Sequence, residues 1–285
     1  GLVAGCGLVA IAARSVAEPI ESVRGALQDV ASGDLDAKLP VDDGGEIGLL
    51  QAGFNRMADG LREREQIRDL FGRHVGEEVA RQAVEQAAGL GGEQRDVSAL
   101  FVDLTDSTGL SQRRPPDEVV GRLNEFFGTV VRSVAAEGGW VTKFEGDGAL
   151  CVFGAPAHQP APAARALRAA RRLAGGLTLP AGIGVSSGRA VAANIGAEQR
   201  YEYTVIGDPV NEAARLTEAA KHHPVQVLAS EATIRAAGDE ASHWREAGTF
   251  ELRGRSEPTV AYAPGQARAD ASALQARSTP SSSTS

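Results

Sequence analysis

Two aspartates at the ends of predicted strands are the residues of this sequence best placed to do chemistry. Asp103 directly follows the apolar run Val97–Val102, which is typical of a buried strand. Asp147 lies in a glycine-bracketed turn between predicted strands Trp140–Phe144 and Ala149–Phe153. If the first strand lies beside this hairpin, both carboxylates meet at one edge of the sheet. Carboxylate oxygens suit Mg²⁺ or Mn²⁺, so the pair predicts a metal site, although a strand-end cap and a turn former are the alternative readings.

The residues that follow Asp103 fit a phosphate group beside such a metal. Thr105, Ser107 and Thr108 form a hydroxyl-rich segment that we expect to be a loop with exposed backbone amides. Backbone N–H groups and hydroxyls that converge in a turn bind anions. The three residues are therefore candidate substrate-binding residues.

Composition limits the class of protein. The chain has 285 residues, of which 42% are hydrophobic and 23% charged, and this is typical of one or two globular domains. A net charge of −8 argues against a nucleic acid as partner. Cys6 and Cys151 lack metal-ligand spacing, and a disulfide framework is not expected.

The elements that must position the aspartates have the order β-α-β-β-α-β. This order predicts an α+β fold with a ferredoxin-like core. The predicted core elements are strand Val97–Asp103, helix Asp117–Glu137, the hairpin, helix Pro162–Ala174 and strand Ala181–Ser186. Further predicted elements are strands Val191–Ile195 and Tyr201–Ile206 and a helix over Asp208–Lys221.

The N-terminal quarter has a different pattern, in which apolar residues recur at alternating spacings of three and four. The first such seam is predicted to lie in a helix that starts near Pro19, and the second in a helix that starts at Glu46. Their members are Ile20, Val23, Leu27 and Val30, then Ile47, Leu50, Phe54, Met57 and Leu61. Each seam is too narrow to bury itself alone, which predicts pairing with partner helices.

Two helices joined by a connector containing Gly33-Asp34-Leu35, with Glu46-Ile47-Gly48 opening the second helix, resemble a HAMP domain. The resemblance covers residues 15–66 and implies a parallel four-helix bundle in a dimer, with a generic dimerising coiled coil as the alternative. Residues 1–14, which are uncharged up to Ala13, are interpreted as the end of a truncated transmembrane helix, with a buried or disordered terminus as the alternative. Residues 67–95 are interpreted as a signalling helix and linker.

Three motifs of the remaining chain resemble the catalytic domain of class III nucleotidyl cyclases. They are Phe101-Val102-Asp103, Lys143-Phe144-Glu145-Gly146-Asp147 and the segment Tyr203–Leu216, which reads YTVIGDPVNEAARL. The resemblance covers residues 96–264, and the low-complexity segment 265–285 is expected to be disordered. It implies cyclisation of a nucleoside triphosphate, with two Mg²⁺ or Mn²⁺ ions per site held by Asp103 and Asp147.

The same resemblance assigns the substrate-binding and catalytic residues. Lys143 matches the lysine that donates to an adenine ring nitrogen, the alternative being an exposed lysine at a strand edge. Thr204 stands where many relatives carry aspartate, and its hydroxyl accepts from the adenine amine without adding charge. Asn211 matches the residue that orients the ribose. Arg215 matches the residue that counters phosphate charge, the alternative being an ion pair with Glu212 or Glu218.

In this family, one subunit supplies the carboxylates and the other supplies the base-binding and charge-countering residues. The resemblance therefore implies a homodimer with shared sites that converts ATP to cyclic AMP. The expected arrangement is a membrane-anchored adenylate cyclase whose HAMP and catalytic domains lie in the cytoplasm. The alternatives are a catalytically silent regulatory domain and a guanylate cyclase.

Overall fold

The computed structural model describes residues 2–41, 45–75, 91–197, 200–255 and 257–265, which belong to two compact units. The first unit falls within residues 1–77 and the second within 78–285. The tail predicted to be disordered and most of the predicted linker lie outside the described residues.

The first unit consists of two long helices, α1 (Leu2–Ala31) and α2 (Glu46–Val75). The predicted start of α2 is confirmed, but the start predicted near Pro19 is wrong because α1 runs through this proline without interruption. Alanine and arginine just before the proline favour helix, and the helix continues although the proline removes one backbone hydrogen bond and its ring crowds the carbonyl four residues earlier. Within the described residues, no helix has a stretch long and apolar enough to cross a membrane. Membrane anchoring through residues 1–14 stays a prediction.

The connector between these helices packs onto them. Leu39 is buried together with Val23, Phe54 and Ala58 in a small core. Asn55 fixes the connector by accepting a hydrogen bond from the Leu39 amide at 2.9 Å and donating one to its carbonyl at 2.8 Å. The described part of the connector, residues 32–41, therefore packs as part of this unit.

The predicted seams are only partly covered within one chain. Val23 and Phe54 are buried. Most of the other seam residues remain exposed: Ile20, Leu27, Leu50, Met57 and Leu61. Apolar rows of this kind agree with the prediction that further helices pack on this unit.

The second unit is built on an eight-stranded sheet with helices on both faces. Its strands are β1 (Gly91–Leu104), β2 (Trp140–Glu145), β3 (Gly148–Phe153), β4 (Ala181–Ala197), β5 (Arg200–Ile206), β6 (Val227–Ser230), β7 (Trp244–Phe250) and β8 (Thr259–Pro264). Its helices are α3 (Ser107–Arg113), α4 (Pro116–Ala135), α5 (Pro162–Gly176), α6 (Asp208–Lys221) and α7 (Glu231–Ala236), followed by a 3-10 helix over Gly238–His243.

The order of the strands confirms the predicted fold class. The core order is β2-β3-β1-β4 with antiparallel neighbours, which is the ferredoxin-like arrangement. Strands β6, β8 and β7 extend the sheet beyond β4, and β5 pairs with the outer part of β4. These extensions place the core strands in the middle of a wide sheet.

Two strands are longer than predicted. Strand β1 begins at Gly91 rather than Val97, and β4 continues to Ala197, so the predicted separate strand Val191–Ile195 is part of β4. The two strands pair continuously from Gly91 opposite Asn194 to Leu104 opposite Ala181. This pairing supplies the hydrogen bonds that keep both glycine-containing segments extended.

Residues of β1 alternate between two cores. Leu100 and Val102 pack with residues of α4 and α5, such as Phe126 and Leu167. Ala99 lies on the opposite face, in a cluster with Ala213 of α6. Since side chains alternate along a strand, Asp103 lies on the same face as Ala99, which is the face that α6 covers.

Candidate active site

The hairpin lies beside β1, as predicted, and this pairing brings the two aspartates to neighbouring positions. Asp103 is in register with Gly148, which directly follows Asp147. A Cβ atom on Gly148 would lie 2.6 Å from Asp103 Oδ1, so the carboxylate rests directly over this glycine. Gly146 completes the turn with a φ of +64°, a conformation that glycine adopts at little cost. Glycines on both sides of Asp147 therefore allow the close approach.

The environment of Asp103 destabilises the charged form of its carboxylate. Burial raises the pKa of Asp103 above its ordinary value, and the nearby Asp147 carboxylate raises it further, although a hydrogen bond from Lys221 lowers it in part. Lys221 Nζ lies 2.5 Å from Asp103 Oδ2. Burial alone would lower the pKa of Lys221, but its hydrogen bonds to Asp103 and Glu218 outweigh burial and leave that pKa raised. A cation at Asp103 thus stabilises a partly buried carboxylate pair.

This donor set fits a divalent metal ion that is shared with a phosphate-bearing ligand. Within the described residues, no group of three or more histidines, cysteines or acids could hold a metal by itself. Mg²⁺ commonly takes one or two carboxylates and completes its coordination with water and substrate phosphates. Asp103 and Asp147 supply those two carboxylates, and the ammonium of Lys221 shows that Asp103 attracts a cation.

The hydroxyl-rich segment differs from the predicted loop. Ser107 and Thr108 open helix α3, and Asp106 caps this helix by accepting from the Gly109 amide at 3.0 Å. The Thr105 amide donates to the carbonyl of Pro180 at 3.0 Å and is not free for a phosphate. Capping side chains stabilise helix starts, which explains why a helix replaces the loop. Substrate binding by the three hydroxyl residues stays a prediction.

Lys143 and Thr204 lie on strands that a pair of aromatic rings draws together. Lys143, on the edge strand β2, pairs with Glu145 at 2.5 Å and is partly exposed. On the same strand, the Trp140 ring lies 5.8 Å from the ring of Tyr203, which precedes Thr204 on β5. Strand β5 therefore folds over the sheet towards the strand that carries Lys143.

Asn211 and Arg215 lie four residues apart on the exposed side of helix α6. Such spacing places both side chains on one face of the helix. The face is continuous with the start of α6, where Gly207 leads in from β5. The two residues are thus presented outwards from a helix that is otherwise packed on the sheet.

The alternative role of Arg215 finds no support in the structure. Glu212 is buried and pairs with Arg255 at 3.2 Å, whereas Glu218 pairs with Lys221 at 2.9 Å. Within the part of the chain that the structure describes, Arg215 forms no ion pair. Its guanidinium group is available to another molecule.

Helix α6 keeps the two groups of candidate residues apart within one chain. Lys221, in the last turn, contacts Asp103, whereas Asn211 lies ten residues earlier. At 1.5 Å per residue, this separation is about 15 Å along the helix axis. Arg215 lies six residues before Lys221, about 9 Å along the axis. Within the described residues, the carboxylate of Asp103 pairs with Lys221 and not with Arg215, so the two groups do not converge through the contacts of a single chain.

Sequence reasoning singled out the glycines beside Asp147 but missed the roles of Lys221 and Asp106. A signal for Lys221 is present, because Ala213, Thr217 and Lys221 are four residues apart and share one face of α6. Ala213 is fully buried and Thr217 nearly so, which places the stem of Lys221 on the packed face. The acceptor that Lys221 meets there depends on strand register, which the spacing does not reveal.

The sequence model of the HAMP domain matches residues 11–63, and that of the adenylate and guanylate cyclase catalytic domain matches residues 92–263. An uncharacterized protein of Mycobacterium tuberculosis, Rv1320c, is 50% identical over 271 residues, covering 93% of this chain and 48% of the relative. The chain thus spans about half the length of the curated relatives that it matches.

Solved structures of two cyclases share the fold of the second unit. The adenylyl cyclase CyaB from P. aeruginosa is 26% identical with a TM-score of 0.54, covering 64% of this chain and 99% of that chain. The guanylyl cyclase Cya2 is 32% identical with a TM-score of 0.51, covering 62% of this chain and 97% of that chain. The chain therefore belongs to the family of the adenylate and guanylate cyclase catalytic domain, which a HAMP domain precedes here.

Proposed function

We propose that this chain is an adenylate cyclase that converts ATP to 3′,5′-cyclic AMP and pyrophosphate at sites shared between two copies. The observation that carries the proposal is the division of the candidate residues. Asp103 and Asp147 meet at one edge of the sheet, while Asn211 and Arg215 face outwards on α6, and Arg215 has no ion-pair partner within the described residues. A second copy can bring these halves together.

In the proposed reaction, the ribose 3′-oxygen attacks the α-phosphorus and a new P–O bond forms. The bond from the α-phosphorus to the oxygen bridging to the β-phosphate breaks, pyrophosphate leaves, and the hydroxyl proton passes to water. Bound Mg²⁺ or Mn²⁺, two per site, would lower the pKa of the hydroxyl and neutralise phosphate oxygens. Asp103 and Asp147 are proposed to hold the metal ions, with Thr105, Ser107 and Thr108 near the phosphates.

The partner half of the site is proposed to orient the nucleotide. Asn211 donates to the ribose and holds the 3′-hydroxyl in line with the α-phosphate. Arg215 places its guanidinium group against the charge that develops on the phosphate oxygens. Because the opposite face of α6 is packed on the sheet, the backbone that carries both side chains is fixed before substrate binds.

Preference for ATP is proposed to rest on Lys143 and Thr204. The Lys143 ammonium has donors only, which suits an unprotonated ring nitrogen of adenine and not the N1–H of guanine. Its present partner, Glu145, is partly exposed, and such ion pairs contribute at most about 1 kcal/mol. Replacement of the Lys143–Glu145 ion pair by a contact between Lys143 and adenine therefore costs little free energy.

The test is to incubate the purified chain with Mn²⁺ or Mg²⁺ and either ATP or GTP, and to quantify cyclic AMP and cyclic GMP by chromatography. Formation of cyclic AMP in excess over cyclic GMP supports the proposal. A preference for GTP would instead identify a guanylate cyclase and contradict the role of Lys143. No cyclic nucleotide from either substrate would favour a catalytically silent regulatory domain.

Lys143→Met is expected to lower kcat/KM for ATP by about 10- to 100-fold, because an adenine acceptor loses its donor. The GTP reaction should change little, so the ratio of the two specificity constants reports the effect. Glu145→Gln is the matched control, since it removes the ion pair but keeps the lysine, and its kcat/KM should not fall. An equal loss with both nucleotides in Lys143→Met would contradict purine recognition by this residue.

We further propose that the first unit supports the dimer and relays a signal to the catalytic domain. Its exposed apolar row on α2 carries the argument, and Met57 lies in the middle of that row. Met57→Gln is expected to raise the dimer dissociation constant by about 10- to 100-fold, since burial of a methionine contributes about 1.5–3 kcal/mol. Sedimentation measures the constant, and activity at low protein concentration should fall with it.

The neighbouring Arg56→Gln variant is the control for this change, because Arg56 is exposed and lies outside the apolar row. Its dissociation constant should match that of the parent chain. Equal dimerisation and activity of both variants and the parent would show that the row does not hold the dimer.

A further inference from the structure

The ammonium group of Lys221 forms an ion pair with Asp103, one of the two carboxylates proposed to bind metal. Lys221 Nζ lies 2.5 Å from Asp103 Oδ2 and 2.9 Å from Glu218 Oε1. The side chains of Lys221 and Asp103 are only 14% and 22% exposed. This ion pair is more shielded from water than an ordinary surface pair, so its charges interact more strongly.

The packing of helix α6 fixes the stem of this lysine. A Cβ atom on Gly182 of β4 would lie 2.7 Å from Lys221 Cγ, and one on Gly184 would lie 2.2 Å from the carbonyl oxygen of Ala213. The helix therefore lies directly against the strand at both glycines. One turn before Lys221, Thr217 Oγ1 donates to the carbonyl of Phe101 on β1 at 3.1 Å. These contacts hold the helix and the base of the Lys221 side chain close to Asp103, while the terminal bonds of the side chain stay free to rotate.

Glu218 provides a second carboxylate that pairs with the same ammonium. It lies on the exposed side of α6, three residues before Lys221, and its carboxylate also accepts from Nζ. The terminal bonds of a lysine side chain rotate freely, so Nζ can leave Asp103 and keep an ion pair with Glu218. A metal ion that binds Asp103 would repel the ammonium towards Glu218.

We propose that Lys221 is a positioning residue that competes with the divalent cation for Asp103 and so sets the metal concentration at which the site fills. This inference rests on the proposed function only in that Asp103 binds metal. Before metal arrives, Lys221 neutralises a partly buried carboxylate and keeps it aimed over Gly148. When metal binds, Glu218 receives the displaced ammonium.

The test is a titration of the full chain with Mn²⁺ alone, up to millimolar concentrations, in which the paramagnetic resonance signal of free Mn²⁺ reports binding. Lys221→Met is expected to bind Mn²⁺ about three- to tenfold more tightly, since a competing charge of a partly buried pair is gone. Lys221→Arg keeps the charge and should bind like the parent. Arg172→Met, which removes a positive charge paired with Glu137 on another part of the domain, should also match the parent.

A second variant is expected to change the affinity for Mn²⁺ in the opposite direction. Glu218→Gln keeps an oxygen acceptor but removes the negative charge that attracts the displaced ammonium, so the ammonium stays mainly on Asp103 and Mn²⁺ should bind a few-fold more weakly. In turnover assays, Lys221→Met should lower the metal concentration for half-maximal rate while KM for the nucleotide stays unchanged. Substitution of a lysine with a purely structural role would not lower the metal requirement while leaving KM for the nucleotide unchanged.

Several outcomes would overturn the inference. Any one of three is sufficient. The first is unchanged or weaker Mn²⁺ binding by Lys221→Met, and the second is tighter binding by Glu218→Gln. The third is no Mn²⁺ binding by the parent and all variants. The binding titration uses no nucleotide, so its failure is separate from failure of the proposed function. The latter would appear as absence of cyclic nucleotide from the parent chain.

Discussion

Asp103→Asn is expected to lower the rate of cyclic nucleotide formation by about 10³-fold or more at saturating nucleotide. Among the described residues, Asp103 and Asp147 are the two carboxylates that meet at this edge of the sheet, and the substitution replaces one charged ligand by a neutral amide. It also leaves the ammonium of Lys221 in the site without its acidic partner. Loss of several kcal/mol of charge stabilisation corresponds to this fall in rate. Chromatographic measurement of cyclic AMP formed with Mn²⁺ checks it.

Asp106→Asn is the control for this loss. Asp106 lies three residues away, is exposed, and caps helix α3 by accepting from the Gly109 amide. Asparagine caps helices about as well as aspartate, so the activity of this variant should remain within about twofold of the parent. If Asp103→Asn kept more than a tenth of the parent activity, Asp103 would not be an essential ligand.

The part of the fold that sequence reasoning predicted well is the part with strong periodicity. Helix α6 has the predicted bounds, and helix α4 and the hairpin strands lie within a few residues of theirs, because each buries a regular apolar row. Strand β4 was predicted only over Ala181–Ser186, with a separate strand over Val191–Ile195. The structure continues it, since β1 pairs with it throughout. Long-range pairing of this kind is not visible in a local window.

The last strands of the sheet were missed for a related reason. Strand β6 has only four residues, Val227–Ser230, and is held by parallel pairing with β4 rather than by its own pattern. Strands β7 and β8 pair through a register shift near Gly248. Short strands whose partners lie far away in sequence carry little local signal.

For the candidate site, residue types at strand ends and in motifs were predictable, but their contacts were not. The pairing of Asp103 with the hairpin followed from apolar runs and a glycine turn. The ion pair of Asp103 with Lys221 depends on how closely α6 approaches β4, which is set by Gly182 and Gly184. Contacts that arise from close packing of distant elements need the folded structure.

Two inactive variants are expected to restore activity when they share a dimer. Arg215→Ala alone should lower kcat by about 10²–10³-fold, because it removes a donor aimed at developing phosphate charge. Its fold should be unaffected, since Arg215 is exposed and forms no ion pair within the described residues. In a dimer with Asp103→Asn, one site receives intact carboxylates from one chain and an intact arginine from the other. The second site receives both defects.

The expected recovery has a definite size. If the two variants are produced together with different affinity tags and dimers carrying both tags are purified, one of the two sites in each dimer is intact. Activity should then be about half that of the parent, which is roughly 50-fold or more above either variant alone. Steady-state formation of cyclic AMP per dimer measures it.

The control pair separates shared sites from general rescue by mixing. Asp103→Asn combined with Asp147→Asn places both defects in the same half, so each site of the mixed dimer lacks one carboxylate and activity should stay low. Absence of recovery in the Asp103–Arg215 pair would mean that each chain completes a site by itself, whereas recovery in the control would mean that the two carboxylates of a site come from different chains. Completion within one chain would require Arg215 to reach Asp103 past the last turns of α6, where Lys221 already holds that carboxylate. The contacts of α6 therefore favour recovery only when the defects lie in different halves.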